Sequence, residues 1–236
     1  DRDVTGVQTC ALPISPETGD DVLERFIDRN YADPDLPLLF AKLDELYRAE
    51  PKASRNELEK WVRRPEQPRR TFARWYLAHL EIRAGRTERA RQLFTDVRHT
   101  ENKTAVFASA LVEFAEFEIS HHRLDEAIAI LDDARLLRPE PTLLTRIDFL
   151  SAQARYSAKQ FDTATAAFEQ IAQRDSHWAK AALFNASSGW LQVGNHSRFV
   201  ADYNDLEKQG GDEQSRADLQ LEEGLMQAAN GDKKAA

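Results

Sequence analysis

Small apolar residues recur along this chain at a fixed spacing, and short polar breaks separate them. The small residues come in pairs twelve positions apart, and the pairs repeat every 35 to 37 residues. Such a period is typical of stacked structural repeats, each built from one pair of elements. The first members of the pairs are Ala78, Ala115, Ala152, Gly189 and Gly224, and the second members are Ala90, Ala127, Ala164, Ala201 and Ala236.

Large apolar residues follow the small ones and suggest how the elements pack. Phe94, Leu131 and Phe168 each lie four positions after the second small residue. Small residues at facing positions let two helices approach closely, and the large side chain fills the groove beside them. The fourth repeat has Asp205 at this position, so we expect its packing to differ.

Short breaks between the small residues predict where helices end and begin. Gly or Asn in several breaks can take the left-handed conformation that terminates a helix, and Pro141 is well suited to start one. Ala, Leu, Glu, Arg and Gln outweigh Val and Ile, which also favours helix. The predicted pairs are 69–84 with 87–98, 104–120 with 124–137, 141–158 with 161–174, 177–193 with 196–208, and 213–229 with a helix just beginning; upstream helices are predicted at 20–31, 36–50 and 55–63.

The repeated residues resemble the tetratricopeptide repeat, in an atypical form of about 37 residues. Ala127-x-x-x-Leu131 followed by Pro139 fits the pattern of that family's second helix. The resemblance implies an all-α fold, a right-handed superhelical solenoid of antiparallel helix pairs. The aromatic residues expected in the first helix are mostly displaced. We expect degenerate helices over 19–68 and tetratricopeptide-like repeats over 69–236, with the last repeat cut short.

Residues 4–14 have no helical or strand periodicity and resemble a translated sequencing-library adapter. We therefore expect residues 1–18 to be an adapter-derived, disordered segment that is foreign to the natural protein. The only cysteine, Cys10, falls inside it, which excludes disulfides and cysteine chemistry from the rest. The true N-terminus would then be missing, so the compartment stays open between the cytoplasm and the periplasm of a bacterium.

The resemblance implies a concave groove lined by the first helix of each pair, where a peptide or protein binds. Aromatic residues suit such a surface because one side of the ring is apolar and the other side tolerates water. An alternative left open is that the tryptophans simply pack against the next repeat. The candidate groove residues are Trp75, His79, Arg83, Glu116, Arg146, Gln153, Tyr156 and Trp190.

The chemistry of the sequence argues against catalysis and against several kinds of partner. Asp and Glu total 40 against 32 Lys and Arg, a net charge of −8 that disfavours nucleic acid. No apolar run is long enough to span a membrane. His121 and His122 are adjacent on a helix and point in different directions, so a metal site is not expected. No motif for a catalytic nucleophile, a cofactor or a phosphate is present.

Two further features concern partners. Some tetratricopeptide relatives grip the C-terminal carboxylate of chaperones with Lys and Asn on successive first helices. The matching positions here include Trp75, Val112 and Phe149, so this clamp is absent. A basic cluster could meet an acidic partner, although such a run more often solvates a helix junction. Its members are Arg63, Arg64, Arg69, Arg70 and Arg74.

The sequence thus predicts a non-enzymatic scaffold that binds a protein or peptide. The alternative is the helical-repeat region of a larger, truncated protein, either an enzyme, a sensor or an envelope-assembly scaffold. What lies before residue 16 or beyond residue 236 would discriminate between these hypotheses, because fold alone does not fix function.

Overall fold

A computed structural model describes residues 19–49, 56–101 and 103–229 of the chain. The described residues contain helices and no strand. The predicted adapter segment lies outside them. The helices are α1 (Gly19–Arg29), α2 (Leu36–Ala49), α3 (Asn56–Arg63), α4 (Arg69–Arg83), α5 (Thr87–Arg98), α6 (Ala108–Ser120), α7 (Leu124–Leu136), α8 (Pro141–Ser157), α9 (Phe161–Arg174), α10 (Ala179–Gln192), α11 (His196–Lys208) and α12 (Glu213–Ala229).

The helices predicted within the described residues are confirmed, with ends that agree to within a few residues. The helix predicted to begin after residue 229 lies outside the described residues. The largest difference is at the start of α6, where a single 3-10 turn at Ala105–Phe107 precedes the helix. Pro141 occupies the first turn of α8, and the Glu140 carboxylate accepts hydrogen bonds from the backbone N–H of Thr142 and Leu143. Together they fix where α8 begins, because this carboxylate satisfies N–H groups that have no partner within the helix.

A left-handed residue ends the first helix of four pairs, namely α4 with α5, α6 with α7, α8 with α9 and α10 with α11. Gly85, His122, Lys159 and Gly194 have φ between 57° and 72°. In each turn the N–H of the next residue donates to the carbonyl four residues before the left-handed one, for example Arg123 N to Glu118 O at 2.9 Å. This hydrogen-bond pattern is the Schellman motif, which reverses the chain tightly. The short turns therefore make consecutive helices antiparallel.

The ladder of small residues is buried in the first three repeats. Ala115 and Ala127 are fully buried in the second repeat, and Ala152 and Ala164 are fully buried in the third. Phe168, one turn after Ala164, is also fully buried and contacts the Phe149 ring edge-on at 5.3 Å. The prediction that small residues lie where two helices meet, and that a large side chain fills the space beside them, is thus confirmed for these repeats.

The fourth repeat corrects the predicted register. Ala201 is exposed, whereas Phe199, two positions earlier, is buried. The left-handed Gly194 follows Lys159 by 35 residues, while the two preceding steps are 37. Counted from the turn, Ser187 and Phe199 occupy the places of Ala152 and Ala164. The prediction that Gly189 and Ala201 form the fourth pair was wrong because this repeat is two residues shorter.

The described residues up to Leu93 form one compact unit, and those from Phe94 form a second. The domain boundary predicted between residues 68 and 69 remains a prediction. In the first unit, Phe40 of α2 stacks on Phe72 of α4 and meets Trp61 of α3 edge-on. In the second unit, α6 to α11 pack each against the next along the chain, and α12 packs against α10.

Arg69 is the most deeply buried cation of the first unit, at 1% exposure. Its Nη1 atom donates to the carbonyl oxygen of Asp28 at 2.6 Å, and its Nη2 atom to Glu66 Oε2 at 3.1 Å. The guanidinium lies 5.9 Å from the ring centres of both Tyr31 and Trp61. Arg69 therefore ties α4 to α1 and α3.

Candidate functional site

Successive first helices of the second unit contact one another along one face, as α6 does with α8 and α10 with α12. Gln153 and Tyr156 of α8 border a cavity of about 350 Å³ on this face. We call this side of α6, α8, α10 and α12 the A face. The volume falls at the lower end of the range for small-ligand and side-chain pockets. The cavity is lined by Ile119, Gln153, Tyr156, Ser157, Phe168 and Asn185.

The polar groups around this cavity carry no charge, and several are available to a ligand. Within the described residues, the side chains of Gln153 and Ser157 make no hydrogen bond. Asn185 Nδ2 donates to the Ala181 carbonyl at 2.9 Å, which leaves the Asn185 amide oxygen as an acceptor. Ile119 and Phe168 supply apolar surface. Such a combination suits uncharged groups that donate and accept hydrogen bonds, as a peptide backbone does.

A chain of hydrogen bonds links three successive first helices beside the cavity. The Tyr156 hydroxyl lies 2.8 Å from Ser188 Oγ, and Ser188 Oγ donates to Glu222 Oε2 at 2.9 Å. Gln192 Nε2 donates to the other Glu222 oxygen at 2.7 Å. Burial raises the pKa of Tyr156, and the Glu222 charge adds to this, against the Ser188 hydrogen bond. The phenol is therefore a neutral hydrogen-bonding group on this face.

Glu222 has only neutral donors around its carboxylate. No Lys, Arg or His lies within ion-pair distance of it among residues 94–101 and 103–229. Ser188 and Gln192 stabilise the charge but do not neutralise it. Within those residues, this end of the A face therefore holds a carboxylate without a cationic partner, one hydroxyl away from Tyr156.

At the other end of the A face, two predicted groove residues bind each other. Arg146 Nη2 of α8 donates to Glu116 Oε1 of α6 at 2.5 Å, and both side chains are at least a third exposed. The pair shows that these two residues lie on the same side of successive first helices. Exposed ion pairs contribute little to stability, about 0–1 kcal/mol, so a ligand can displace this one readily.

The three candidates in the first unit form a cluster around Asp44 of α2. Arg83 Nη2 donates to Asp44 Oδ1 at 2.6 Å, and His79 Nδ1 lies 3.6 Å from Asp44 Oδ2. Burial opposes ionisation of Asp44, but the hydrogen bonds from His79 and Arg83 outweigh it and lower the pKa of the carboxyl. Trp75 is 7% exposed and packs against the His79 ring. These contacts lie within the first unit and hold α4 against α2.

Trp190 faces the second helices of the array and not the A face. Its Nε1 atom donates to Glu169 Oε1 of α9 at 2.8 Å, and the Arg198 guanidinium of α11 lies 5.2 Å from its ring centre. Arg198 Nη1 also binds both Glu169 oxygens at 2.9 Å. With 9% of its surface exposed, Trp190 contributes to packing between α9, α10 and α11.

Ser188 and Asn185 are the A-face residues that the sequence did not predict. Candidates in the fourth repeat were placed by adding 37 to the third-repeat positions, which gives Trp190. The shorter step of 35 residues makes Ser188 the equivalent of Gln153 instead. The position of Gly194 carried this signal, because a glycine in the break marks the left-handed residue from which the register is counted.

The predicted basic cluster is largely engaged within the first unit. Arg64 Nη1 donates to Asp28 Oδ1 at 2.7 Å, and Arg70 Nε donates to the Val62 carbonyl at 3.1 Å. Arg69 is buried, as described above. The cluster therefore lies at a helix junction, but Arg69 is buried there and does not solvate it.

His121 and His122 lie in the turn after α6. His121 Nδ1 is 2.7 Å from the Phe117 carbonyl, while His122 is the exposed left-handed residue of that turn. Across the part of the chain that the structure describes, no group of three His, Cys, Asp or Glu residues is placed to hold a metal ion. No helix in that part is both long and apolar enough to cross a bilayer.

The antiparallel pairs, their Schellman turns and the buried small residues define a helical-repeat fold of the tetratricopeptide type. No protein-family model and no curated protein matches the sequence. Among solved structures, the chain is similar to the MamA RS-1 ArsTM double mutant, with 14% identity and a TM-score of 0.55 over 76% of this chain and 97% of that chain. The tetratricopeptide-like fold predicted from the spacing is confirmed.

Two other solved structures have lower TM-scores, and both are described as repeat proteins. A tetratricopeptide repeat protein from Parabacteroides merdae shares 14% identity, with a TM-score of 0.49 over 92% of this chain and 80% of that chain. A putative kinesin light chain from Podosopora anserina, with nearly identical TPR-like repeats, shares 14% identity, with a TM-score of 0.48 over 89% of this chain and 94% of that chain.

Proposed function

We propose that the chain is a non-enzymatic interaction scaffold that binds an extended protein segment on the A face of its second unit. The observation that carries this proposal is the 350 Å³ cavity bordered by Gln153, Tyr156 and Asn185. It lies where three successive first helices meet, and its amide groups are available for hydrogen bonds. An extended peptide exposes unpaired backbone N–H and C=O groups, which such side chains can satisfy.

The charge of the second unit limits the kinds of partner that we expect to bind it. Acidic residues outnumber basic ones over residues 94–229, which disfavours nucleic acid as it does for the whole chain. Arg146 is bound to Glu116, so it is not preorganised to grip a terminal carboxylate. We therefore propose a neutral or basic protein segment as the ligand and not an acidic chaperone tail.

The test uses a displayed library of random peptides selected on the wild-type protein. The variant changes Gln153 and Asn185 together to Ala, and the matched control changes Gln170 and Gln173 of α9 to Ala. All four side chains are amides, and the control pair is exposed on a second helix. We expect enriched peptides to bind the variant about tenfold more weakly, because each lost hydrogen bond contributes about 0.5–1.5 kcal/mol. The control should bind them as the wild type does.

Two results would overturn the proposal. One is a selection that enriches no peptide above background. The other is a set of enriched peptides that bind the Gln153 and Asn185 variant as tightly as the wild type. Hydrogen exchange of the complex gives an independent check, because binding on the A face should protect α8 and α10 more than α9.

A further inference from the structure

We propose that the A face selects a segment with a Lys or Arg side chain that pairs with Glu222, beside an uncharged stretch that covers the cavity. This inference rests on the proposed function and names the chemistry of its ligand. The ligand that we propose for the A face is an extended basic segment of another protein.

Among residues 94–101 and 103–229, no cation lies beside the partly buried carboxylate of Glu222. Ser188 Oγ donates to it at 2.9 Å and Gln192 Nε2 at 2.7 Å, and both donors are neutral. A carboxylate held in place by neutral hydrogen bonds is oriented for an incoming cation. It can then form a charge-assisted hydrogen bond, which is roughly twice as strong as a neutral one.

Glu222 lies close to the cavity. A single hydroxyl, that of Ser188, separates its carboxylate from the Tyr156 phenol that borders the cavity. A long side chain of a bound peptide can therefore reach Glu222 while the neighbouring backbone contacts Gln153 and Asn185. In an extended chain each residue advances about 3.3 Å, so the basic residue should stand at a fixed offset from the cavity-binding residues.

Two other carboxylates on these first helices already have partners that can carry a positive charge. Glu116 already binds Arg146 at 2.5 Å, and Glu223 lies 3.1 Å from His196 Nδ1. The cavity lining itself is uncharged. Of these three carboxylates, Glu222 alone has no partner within the described residues that can carry a positive charge.

The experiment compares selections from the same random-peptide library on the wild type and on Glu222→Gln. Gln keeps the shape and one acceptor oxygen of Glu but removes the charge. The matched control is Asp132→Asn, an exposed carboxylate on the second helix α7. We expect a Lys or Arg at one fixed position in peptides from the wild type and from the control. Peptides selected on Glu222→Gln should lack it.

A double-mutant thermodynamic cycle tests whether the basic side chain of the peptide contacts Glu222. The best wild-type peptide is compared with its Lys→norleucine or Arg→norleucine derivative on both proteins. We expect each single change to weaken binding about tenfold, and the two together to weaken it no further, because both remove the same contact. The affinity of the basic peptide for the wild type should also fall with salt, whereas that of the norleucine peptide should not. The salt series needs no variant.

The experiments distinguish a failure of this inference from a failure of the proposed function. Peptides that depend on Gln153 and Asn185 but carry no basic residue at a fixed position would overturn this inference and leave the proposed function standing. Additive losses in the cycle would also overturn it. Peptides that do not depend on Gln153 and Asn185 at all would overturn the proposed function itself.

Discussion

Gly189 of α10 lies directly against the side chain of Thr165 in α9. A Cβ atom built on Gly189 would overlap the Thr165 Cγ2 methyl group, and the nearest Tyr156 ring carbon lies 3.5 Å from the same point. Thr165 is fully buried, and its hydroxyl donates to the Phe161 carbonyl at 2.9 Å. Its methyl group is therefore fixed, and the two helices can approach this closely only because residue 189 has no side chain.

The first prediction is that Gly189→Ala lowers the free energy of unfolding. Ala is favoured over Gly inside a helix by about 1 kcal/mol, but overpacking a rigid contact costs about 1–3 kcal/mol. We expect a net loss, measured by urea unfolding. In a Thr165→Ser background, which removes the methyl and keeps the hydroxyl, Gly189→Ala should become neutral or stabilising.

Gly224 of α12 provides the control for this prediction. A Cβ at Gly224 would meet no atom of the described residues within 4 Å, so Gly224→Ala should stabilise the protein by about 0.5–1 kcal/mol through helix propensity alone. Equal effects of the Gly189 and Gly224 substitutions would contradict the steric explanation.

The second prediction concerns the left-handed turns at His122 and Lys159. These residues have φ of 57° and 61°, where a side chain is strained by about 1–2 kcal/mol relative to glycine. Part of the gain from glycine is lost because it makes the unfolded chain more flexible. We expect His122→Gly and Lys159→Gly each to raise the free energy of unfolding by about 0.5–1 kcal/mol.

The neighbouring histidine tests whether this gain comes from the backbone conformation. His121 has φ of −101°, so His121→Gly should give no stabilisation. Gly85→Ala, the reverse change at φ of 70°, should be destabilising. Thermal unfolding of the four variants under one set of conditions would be sufficient, and a stabilising His121→Gly would argue against the explanation.

Much of the fold could be predicted from the sequence because its signals are local. The left-handed glycines at 85 and 194, and Pro141 at the start of α8, fix helix ends through backbone preferences that depend on residue type alone. His122 and Lys159 gave no such signal, since nothing in a histidine or lysine indicates positive φ. Their positions followed only from the 37-residue period, and that reasoning failed where the period changed to 35.

The candidate site was less predictable because it depends on which elements meet. Gln153 and Tyr156 were found from the repeat register, and the structure places both at one cavity. Ser188 was missed through the shortened fourth repeat. Trp190 faces the second helices because it contacts Glu169 and Arg198, which are distant from it in sequence. No local pattern indicates which of several surfaces a tryptophan will face.

The third prediction is that Arg69→Met strongly destabilises the first unit. The substitution keeps much of the side chain's length but leaves the Asp28 carbonyl and the Glu66 carboxylate without their donor. Removing one partner from a buried ionic contact costs about 3–5 kcal/mol. Arg63→Met is the control, because the Arg63 side chain is 78% exposed and should contribute little. Fluorescence of Trp61, beside Arg69, reports the unfolding. Similar urea midpoints for the two variants would refute a structural role for Arg69.

The last prediction concerns Asp202 of α11 and the pH dependence of stability. Burial and the nearby Glu169 charge raise the pKa of Asp202 to about 7, against a hydrogen bond from Trp190. In the unfolded chain this carboxyl ionises near its usual 3.8. Between these two values the folded state holds a proton that the unfolded state has lost. The free energy of unfolding should therefore fall as pH rises through this window, by at most about 1.4 kcal/mol per pH unit, and level off above pH 7.

Asp202→Asn removes the titrating group and keeps its size, so it should remove this slope. We expect the stability gain of the variant over the wild type to be about 1–2 kcal/mol at pH 5 and to grow to about 3–4 kcal/mol at pH 7 and above. Asp205→Asn changes the same charge on the exposed side of α11 and should retain the slope, because Asp202 is still present. Urea unfolding at several pH values measures the difference. Parallel pH profiles for the wild type and Asp202→Asn would show that Asp202 ionises as readily in the folded protein as in the unfolded chain.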